Sequence, residues 1–344
     1  MTSLTGNRND QHSHVLVPVF VSFCTIPISM MFWIVNEDYS ILWPDSKNHI
    51  KEHSMISLWR WLIAVVVPLF ILSWGYSKKS VKFNSAILGS VMGFILTLSS
   101  YAQGAAFLTF FIIGTKATLF RPVEKKKIEA DFKEGGQRNW THVICNGGMA
   151  TQLALLHFLD VGSGDRPIDF NNEYRSSWLS VAILGAVTCC CGDTWASELG
   201  TVISKGDPFL ITTRKRVPRG TSGAVSWTIF LCAFLGGSVV GLVYYVVILY
   251  TVDTTVLEVS SPQWPIILVG GFGGFFGSLF NSVLGATVNY SGVNEEGLIV
   301  KRPGKGVKHI SGNEVFDNQS INLFCSIGIA LILPQIAKVF WPSF

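Results

Sequence analysis

Long apolar runs alternate with short polar segments along the whole chain. A helix of about 20 mostly apolar residues is long enough to cross a bilayer, and only helices or closed barrels satisfy their backbone groups there. The pattern therefore predicts an all-α fold, a bundle of transmembrane helices forming one integral membrane domain over residues 1–344. The nine predicted spans lie at 15–35, 58–76, 83–100, 104–120, 142–159, 177–199, 223–250, 264–289 and 321–341.

Three details of this pattern refine the expected connections. The run at 15–35 follows a polar head with no basic region and no cleavage site, so we interpret it as a retained span and not a signal peptide. Only Tyr101 to Gly104 separate the third and fourth runs, which predicts a tight hairpin there. The run at 142–159 is the weakest, because it carries polar residues such as Asn146 and His157.

Composition narrows the class of protein. Charged residues make up 14% of the chain and hydrophobic residues 49%, with a mean hydropathy of +0.42, whereas soluble domains carry about 25% charged residues. A soluble enzyme, a disordered regulator and a nucleic-acid-binding protein are all poor interpretations. The seven cysteines lie within apolar runs or at their edges and form no CxxC pair, so we expect packing residues and no disulfide framework or zinc site.

The distribution of charge predicts an orientation. If nine spans alternate from an inner N-terminus, 20 of the 26 Lys and Arg residues fall on the inner side. The outer segments 36–57, 160–176 and 251–263 carry ten acidic residues against four basic ones. The positive-inside rule then places the N-terminus in the cytoplasm and the C-terminus across the membrane. We take an endomembrane, the endoplasmic reticulum, as the working location.

Glycines recur at four-residue spacing within the apolar runs. Small residues at this spacing let two helix backbones approach closely in lipid, so we expect tight helix contacts at these positions. The pairs are Gly89/Gly93, Gly237/Gly241, Gly270/Gly274 and Gly273/Gly277.

Two carboxylates at the inner end of the sixth run are the leading functional candidates, because acidic residues at membrane depth are costly. Asp193 and Glu198 are five residues apart, and at 3.6 residues per turn their side chains would diverge by about 140°. They can share a ligand only if the helix ends or kinks, which Gly192 permits. The alternative is structural, with Asp193 capping the helix or pairing with a basic loop residue.

A basic segment follows these carboxylates. Arg214, Arg216 and Arg219 run into Gly220 and Thr221 just before the seventh span. The N-terminus of a helix offers free N–H groups to phosphate, so this segment is a candidate anion site. Ordinary positive-inside anchoring explains the same residues equally well. The same two interpretations, an anion site or positive-inside anchoring, apply to the basic segment 301–309, where the case for an anion site is weaker.

Amide side chains also gather on the inner side. Asn146, Asn281, Asn318 and Asn322, with Asp317, fall near the inner ends of three different runs. One buried asparagine is usually structural, whereas a converging set indicates a site for sugars, bases or metal-bound oxygens. Because the chain contains no phosphate-loop, HExxH or Rossmann motif, the residues alone do not select a reaction.

Several strings of residues carry a family resemblance. They are 135–140, 146–148, 192–198, 210–213 followed by 217–221, 277–287 and 317–324. In this order they resemble the transmembrane protein 19 family, which is similar to plant phytyl-phosphate kinases and, more distantly, to CTP-dependent dolichol and phytol kinases. The resemblance implies a multi-pass kinase that acts on prenyl phosphates with CTP or ATP and Mg²⁺.

The resemblance also implies roles for the candidate residues. Asp193 and Glu198 would be catalytic and would hold the metal together with Asn281 and Asp317. The nucleotide-binding residues would be Arg214, Arg216, Arg219, Gly220, Thr221, Asn146, Asn318 and Asn322. The family usually has Asp at position 281, so this chain lacks one charge at the implied metal site. A transporter or scramblase of an anionic lipid and a catalytically silent scaffold remain the alternatives.

Overall fold

The computed structural model of the chain describes residues 56–130 and 137–341. Within them, eight long helices coincide with the eight predicted runs from 58–76 onward; the run at 15–35 lies outside the described residues. They are α1 (Leu58–Ser77), α2 (Phe83–Ser99), α3 (Tyr101–Thr118), α5 (Trp140–Asp160), α6 (Tyr174–Trp195), α7 (Trp227–Thr251), α9 (Pro265–Val288) and α10 (Asn318–Ala337), with short helices α4 (Pro122–Lys126) and α8 (Thr254–Val259) between them.

Five of these helices are long and apolar enough to cross a membrane, namely α1, α7, α9, α10 with the turn that follows it, and α6 with its extension to Ile203. The prediction of a helical membrane protein is confirmed, whereas the count of nine spans is not. Helix α6 lies at the centre, packed against α3, α5, α7, α9 and α10. The six cysteines among the described residues are free and buried, as expected for packing residues.

The connections at one end contain two small antiparallel sheets that the all-α expectation lacked. Strand β1 (Phe209–Leu210) pairs with β2 (Ala224–Val225). Strand β3 (Ser291–Val293) lies between β4 (Ile299–Val300) and β5 (Lys308–Ser311). The strands are two to four residues long, too short to show a recognisable alternation of apolar and polar positions.

Close glycine contacts join α7 to α9, as the four-residue spacing predicts. A Cβ added to Gly237 would collide with the carbonyl oxygen of Gly270, and one added to Gly270 would lie 2.7 Å from the carbonyl oxygen of Gly237. A Cβ on Gly274 would meet the Ala233 carbonyl oxygen. Because backbone atoms form these contacts, a larger residue cannot be accommodated by rotating a side chain.

We therefore expect Gly274→Ala to destabilise the protein by about 1–3 kcal/mol, the usual cost of overpacking. Thermal unfolding in detergent measures this effect. Gly206→Ala is the matched control, because nothing lies within 4 Å of a Cβ at that exposed position. Equal melting temperatures for the two variants would contradict the packing role of Gly274.

The hairpin between α2 and α3 is tighter than the sequence predicts. Ser100 alone leaves the helical conformation, at φ −156°, and its hydroxyl accepts a hydrogen bond from the Gln103 backbone N–H at 3.4 Å. Residues Tyr101 to Gly104, predicted as the turn, instead form the first turn of α3. The prediction was wrong here because a single capping serine is sufficient to reverse the chain.

The connecting segments separate into two groups, one at each end of the bundle. The Arg138 backbone N–H donates to Ser80 O, and that of Ala130 to Ile299 O. The Ser222 N–H donates to Ser291 Oγ, and Gln137 lines a cavity with Lys125 and Lys301. Together these contacts group the segments 78–82, 119–130, 137–139, 204–226 and 289–317, which we call the basic end. At the opposite end, Gln263 accepts a hydrogen bond from the Ile168 N–H. The grouping agrees with the predicted alternation, while the orientation in the membrane stays a prediction.

Candidate functional site

Two adjoining cavities at the basic end form the candidate site. The outer cavity has a volume of about 730 Å³ and the inner one about 120 Å³. We call the pair the cleft, because the same five residues line both parts: Glu129, Ser197, Thr201, Lys301 and Asn318.

The two leading carboxylates both reach the cleft, Asp193 in the inner cavity and Glu198 in the outer. A π-helical turn at Ala196–Gly200 continues α6 and underwinds it. A π-helix places more residues in each turn than an α-helix does, and such turns are frequent at functional sites. The underwinding supplies the change of direction that the sequence required, whereas Gly192, the expected hinge, stays in the α-helix, where an added Cβ would lie 2.5 Å from the Gly274 Cα.

Glu198 is already engaged. Its Oε2 accepts a hydrogen bond from Lys125 Nζ at 2.6 Å, and the lysine side chain is 8% exposed. Lys125 also donates to the carbonyl oxygens of Ala117 and Thr118, each at 2.9 Å. All three ammonium protons are thus used within the protein. Glu198 has at most one oxygen left for a metal, which weakens the role that sequence predicted for it.

Three of the predicted asparagines form a chain across the bundle. Asn281 Nδ2 donates to Asn322 Oδ1 at 2.6 Å, and Asn322 Nδ2 donates to Asn146 Oδ1 at 3.2 Å. With its amide turned over, Asn322 instead donates to Asp193 Oδ2 at 3.3 Å and to Asn318 O at 3.1 Å. The structure brings these amides together: the first orientation joins α5, α9 and α10, and the second joins Asn322 of α10 to the Asp193 carboxylate of α6.

The basic segment divides at Pro218. Arg219, Gly220 and Thr221 line the inner cavity, and Arg219 Nη1 donates to Ser204 O at 3.2 Å. Gly220 has φ +88°, a conformation that disfavours side chains. These three residues lie where the sequence places an anion site.

Arg214 and Arg216 line neither cavity. Arg214 lies in the exposed turn after β1, and the guanidinium of Arg216 covers the Phe209 ring at 5.5 Å. The loop that follows β1 holds both residues outside the two cavities, so the structure does not bring them to the cleft.

The sequence predicts that the turn at residues 220–223 opens the helix of the seventh span. In the structure this turn leads into β2 instead. Helix α7 begins at Trp227, and the side chain of Ser226 caps it by accepting a hydrogen bond from the Ile229 N–H at 3.3 Å. An anion in the inner cavity would therefore meet loop residues and cationic side chains. The Ser226 cap satisfies one of the free N–H groups at the N-terminus of α7.

Lys301 is a cleft residue that the sequence indicated only weakly. Its Nζ lies 3.3 Å from Gly220 O, 3.5 Å from Ser222 Oγ and 3.7 Å from Glu129 Oε1. It belongs to the segment 301–309, which has the composition of any basic loop. Lys301 directly follows β4, and the pairing of β4 with β3 places it against residues 220–222.

The residues that could hold a metal are few. Asp317 lines the outer cavity but caps α10, its Oδ1 accepting from the Ser320 N–H at 2.9 Å. Within 56–130 and 137–341, no group of three His, Cys, Asp or Glu side chains could hold a metal ion. A cation in the inner cavity would have Asp193, together with the side-chain oxygens of Asn281 and Asn318.

Comparison with known proteins gives consistent relatives. The family model described as integral membrane protein DUF92 matches residues 66–330. Protein PGR of Arabidopsis thaliana is 36% identical over 82% of this chain and 97% of its own length. An uncharacterized membrane protein of Methanocaldococcus jannaschii is 27% identical over 71% of this chain and 90% of its own. Arabidopsis Protein VTE6, chloroplastic, is 28% identical over 49% of this chain and 48% of its own length. No solved structure matches at a significant level.

Proposed function

The chain belongs to the integral membrane protein DUF92 family, and we propose that it is a kinase that transfers a phosphoryl group from CTP or another nucleoside triphosphate to a prenyl monophosphate. The observation that carries the proposal is the inner cavity, where the carboxylate of Asp193 lies with the cationic side chains of Arg219 and Lys301. The resemblance to plant phytyl-phosphate kinases supports the choice of substrate.

The proposed reaction needs little covalent chemistry from the protein. An oxygen of the lipid phosphate attacks the γ-phosphorus, the bond from that phosphorus to the β–γ bridging oxygen breaks, and the nucleoside diphosphate leaves with the electron pair. Such transfers depend mainly on positioning and on charge stabilisation. Arg219 and Lys301 supply positive charge in the cleft, and Gly220 and Thr221 line the inner cavity beside them.

The inner cavity also suits Mg²⁺. This ion commonly takes one or two carboxylates and completes its coordination with substrate phosphates and water. Asp193 would supply the carboxylate, and Asn281 and Asn318 neutral oxygens; Asn281 in place of the family's Asp therefore reduces the charge without removing the site. When bound, the ion would neutralise charge on the transferring phosphates.

The depth of the polar residues favours an enzyme over a transport path. Asn146, Asn281 and Asn322 each lie within about two turns of the basic end of their helices, roughly 10 Å at 1.5 Å per residue. A path for an anionic lipid would place such residues at mid-span. The network instead lies at the basic end of the bundle and reaches the cleft through Asn281.

Transfer of labelled phosphate tests the proposal directly. Purified protein in nanodiscs receives γ-labelled CTP or ATP, Mg²⁺ and prenyl monophosphates of several chain lengths. We expect labelled prenyl diphosphate, and none when Mg²⁺ is chelated. Absence of product with every donor and acceptor would refute the kinase and leave the transporter and scaffold alternatives.

Nucleotide affinity should distinguish the two halves of the basic segment. A hydrogen bond to a charged group contributes about 1.5–3 kcal/mol, so we expect Arg219→Ala and Lys301→Ala each to weaken nucleotide binding about tenfold or more. The double variant Arg214→Ala/Arg216→Ala, which removes two charges outside the cleft, is the control and should bind normally. Weakening by the double variant alone would place the nucleotide elsewhere.

A further inference from the structure

Arg138 is a buried cation that the proposed chemistry does not use. The residue is 8% exposed, and its backbone is held between the α1–α2 connection and α5 by hydrogen bonds with Ser80 and Lys82. Across the described ranges 56–130 and 137–341, its guanidinium forms no ion pair. The Glu198 carboxylate acts on it only from beyond contact distance and is already paired with Lys125. A buried charge without a close counterion is costly, so a bound anion would stabilise this arrangement.

The surroundings of the guanidinium are mostly aromatic. Its central carbon lies 5.8 Å from the ring centre of Phe110 and 5.7 Å from that of Phe111. Cation–π contacts of this kind offset part of the desolvation cost. Burial lowers the pKa of the guanidinium, while the nearby Glu198 carboxylate raises it. Within the described residues no hydrogen-bond acceptor meets the N–H groups of Arg138, and these groups are not wholly shielded from solvent.

A small cavity of about 30 Å³ lies against Arg138, between α1, α2, α3 and α5. Most of its wall is apolar. The Ser85 hydroxyl, which also lines it, has no hydrogen-bond partner. His142 and Val143, in the first turn of α5, are the lining residues that keep partial exposure. Ile87 and Ile144 are exposed on the neighbouring surface.

We infer that Arg138, Ser85 and this cavity bind the phosphate end of a lipid phosphate, whose hydrocarbon chain leaves past His142 and lies along α2 and α5 in the bilayer. The inference rests on the proposed function, for which it supplies the acceptor's binding site. Arginine matches phosphate with paired N–H donors, and the chain remains in lipid.

The position of the guanidinium relates this site to the cleft. A Cβ added to Gly114 would lie 2.9 Å from Arg138 Nη2 and 3.7 Å from the Thr194 methyl group. The guanidinium therefore lies close to the turn of α6 that carries Asp193. Asn146, which lines the small cavity, also begins the amide chain that ends at the inner cavity.

Binding without nucleotide tests the inference. The melting temperature of purified protein is titrated with a prenyl monophosphate, the matching prenyl alcohol and inorganic phosphate. We expect the prenyl monophosphate alone to stabilise the wild type. Arg138→Gln should weaken its binding at least tenfold, Arg138→Lys less, and Ser85→Leu should block binding by filling the cavity with the charge intact. Arg216→Gln, which removes an exposed arginine, is the matched control.

The melting temperature of each variant with ligand is compared with that of the same variant without ligand. If Arg138 has only a structural role, its substitution lowers the unliganded melting temperature and leaves the ligand-induced shift unchanged. Unchanged affinity in Arg138→Gln and Ser85→Leu overturns the inference, as does equal stabilisation by inorganic phosphate. If Arg138→Gln fails to fold, Arg138→Lys and Ser85→Leu decide. If the protein binds prenyl monophosphate but transfers no phosphoryl group to it, only the proposed kinase activity is refuted. If it transfers the group and Arg138→Gln and Ser85→Leu bind the lipid with wild-type affinity, only this binding site is refuted.

Discussion

Asp193→Asn is expected to lower phosphoryl transfer about a hundredfold or more while the protein keeps its fold. The substitution preserves the shape of the side chain and its contact with Asn322, and it removes only the charge from the inner cavity. Charge stabilisation of a transferring phosphate is worth several kcal/mol, and each 1.36 kcal/mol is a factor of ten in rate. The measurements are the rate of transfer at saturating Mg²⁺ and thermal stability in detergent.

Asp207→Asn is the matched control, because Asp207 is exposed at the same end of the bundle and lines neither cavity. It should transfer phosphate at the wild-type rate. Two results would count against a catalytic Asp193: a variant that keeps full activity, or one whose activity falls only in proportion to lost folded protein. The second result would favour the capping or pairing role that the sequence left open.

The helices could be predicted because lipid imposes a simple rule on them. Apolar runs of sufficient length become helices, and eight of the nine predicted runs fall on described helices with boundaries a few residues apart. The hairpin at Ser100 was misplaced because the break in helical conformation is confined to one residue. Hydropathy averages over many residues and does not detect such a break.

The site was predictable in its residue types but not in its geometry. Asp193 and the asparagines are conspicuous because polar groups are rare in apolar runs. The π-helical turn has no comparable signature, since Ala196 to Gly200 would fit an ordinary helix. Arg214, Arg216 and Arg219 are chemically equivalent in the sequence. Only the conformation of the loop between β1 and β2 separates Arg214 and Arg216, outside the cleft, from Arg219, which lines it.

Lys125 was missed for a related reason. It is one of three consecutive lysines, and the sequence offers no reason to distinguish it from Lys126 or Lys127. Its partner Glu198 is 73 residues away. The fold alone buries one lysine of the three, beneath the end of α3 and against the π-helical turn.

We expect Lys125→Met to destabilise the protein by about 3 kcal/mol. Removing one member of a buried ion pair costs about 3–5 kcal/mol, and the lower figure applies because the Glu198 side chain is 27% exposed. The Ala117 and Thr118 carbonyl groups would also lose their donor. Lys127→Met is the matched control: its pair with Glu124 is exposed on both sides, and such pairs contribute about 0–1 kcal/mol. Thermal or denaturant unfolding in detergent measures both.

The double variant Lys125→Met/Glu198→Gln distinguishes a structural Glu198 from a metal ligand. If the carboxylate serves mainly to pair with Lys125, neutralising it should restore about 1–2 kcal/mol of the lost stability, because no unpaired charge remains. The single variant Glu198→Gln should then lower stability and leave the Mg²⁺ dependence of transfer unchanged. A metal ligand would behave in the opposite way, with normal stability and a raised requirement for Mg²⁺. Since one Glu198 oxygen is bound to a buried ammonium with no proton to spare, we expect the first outcome.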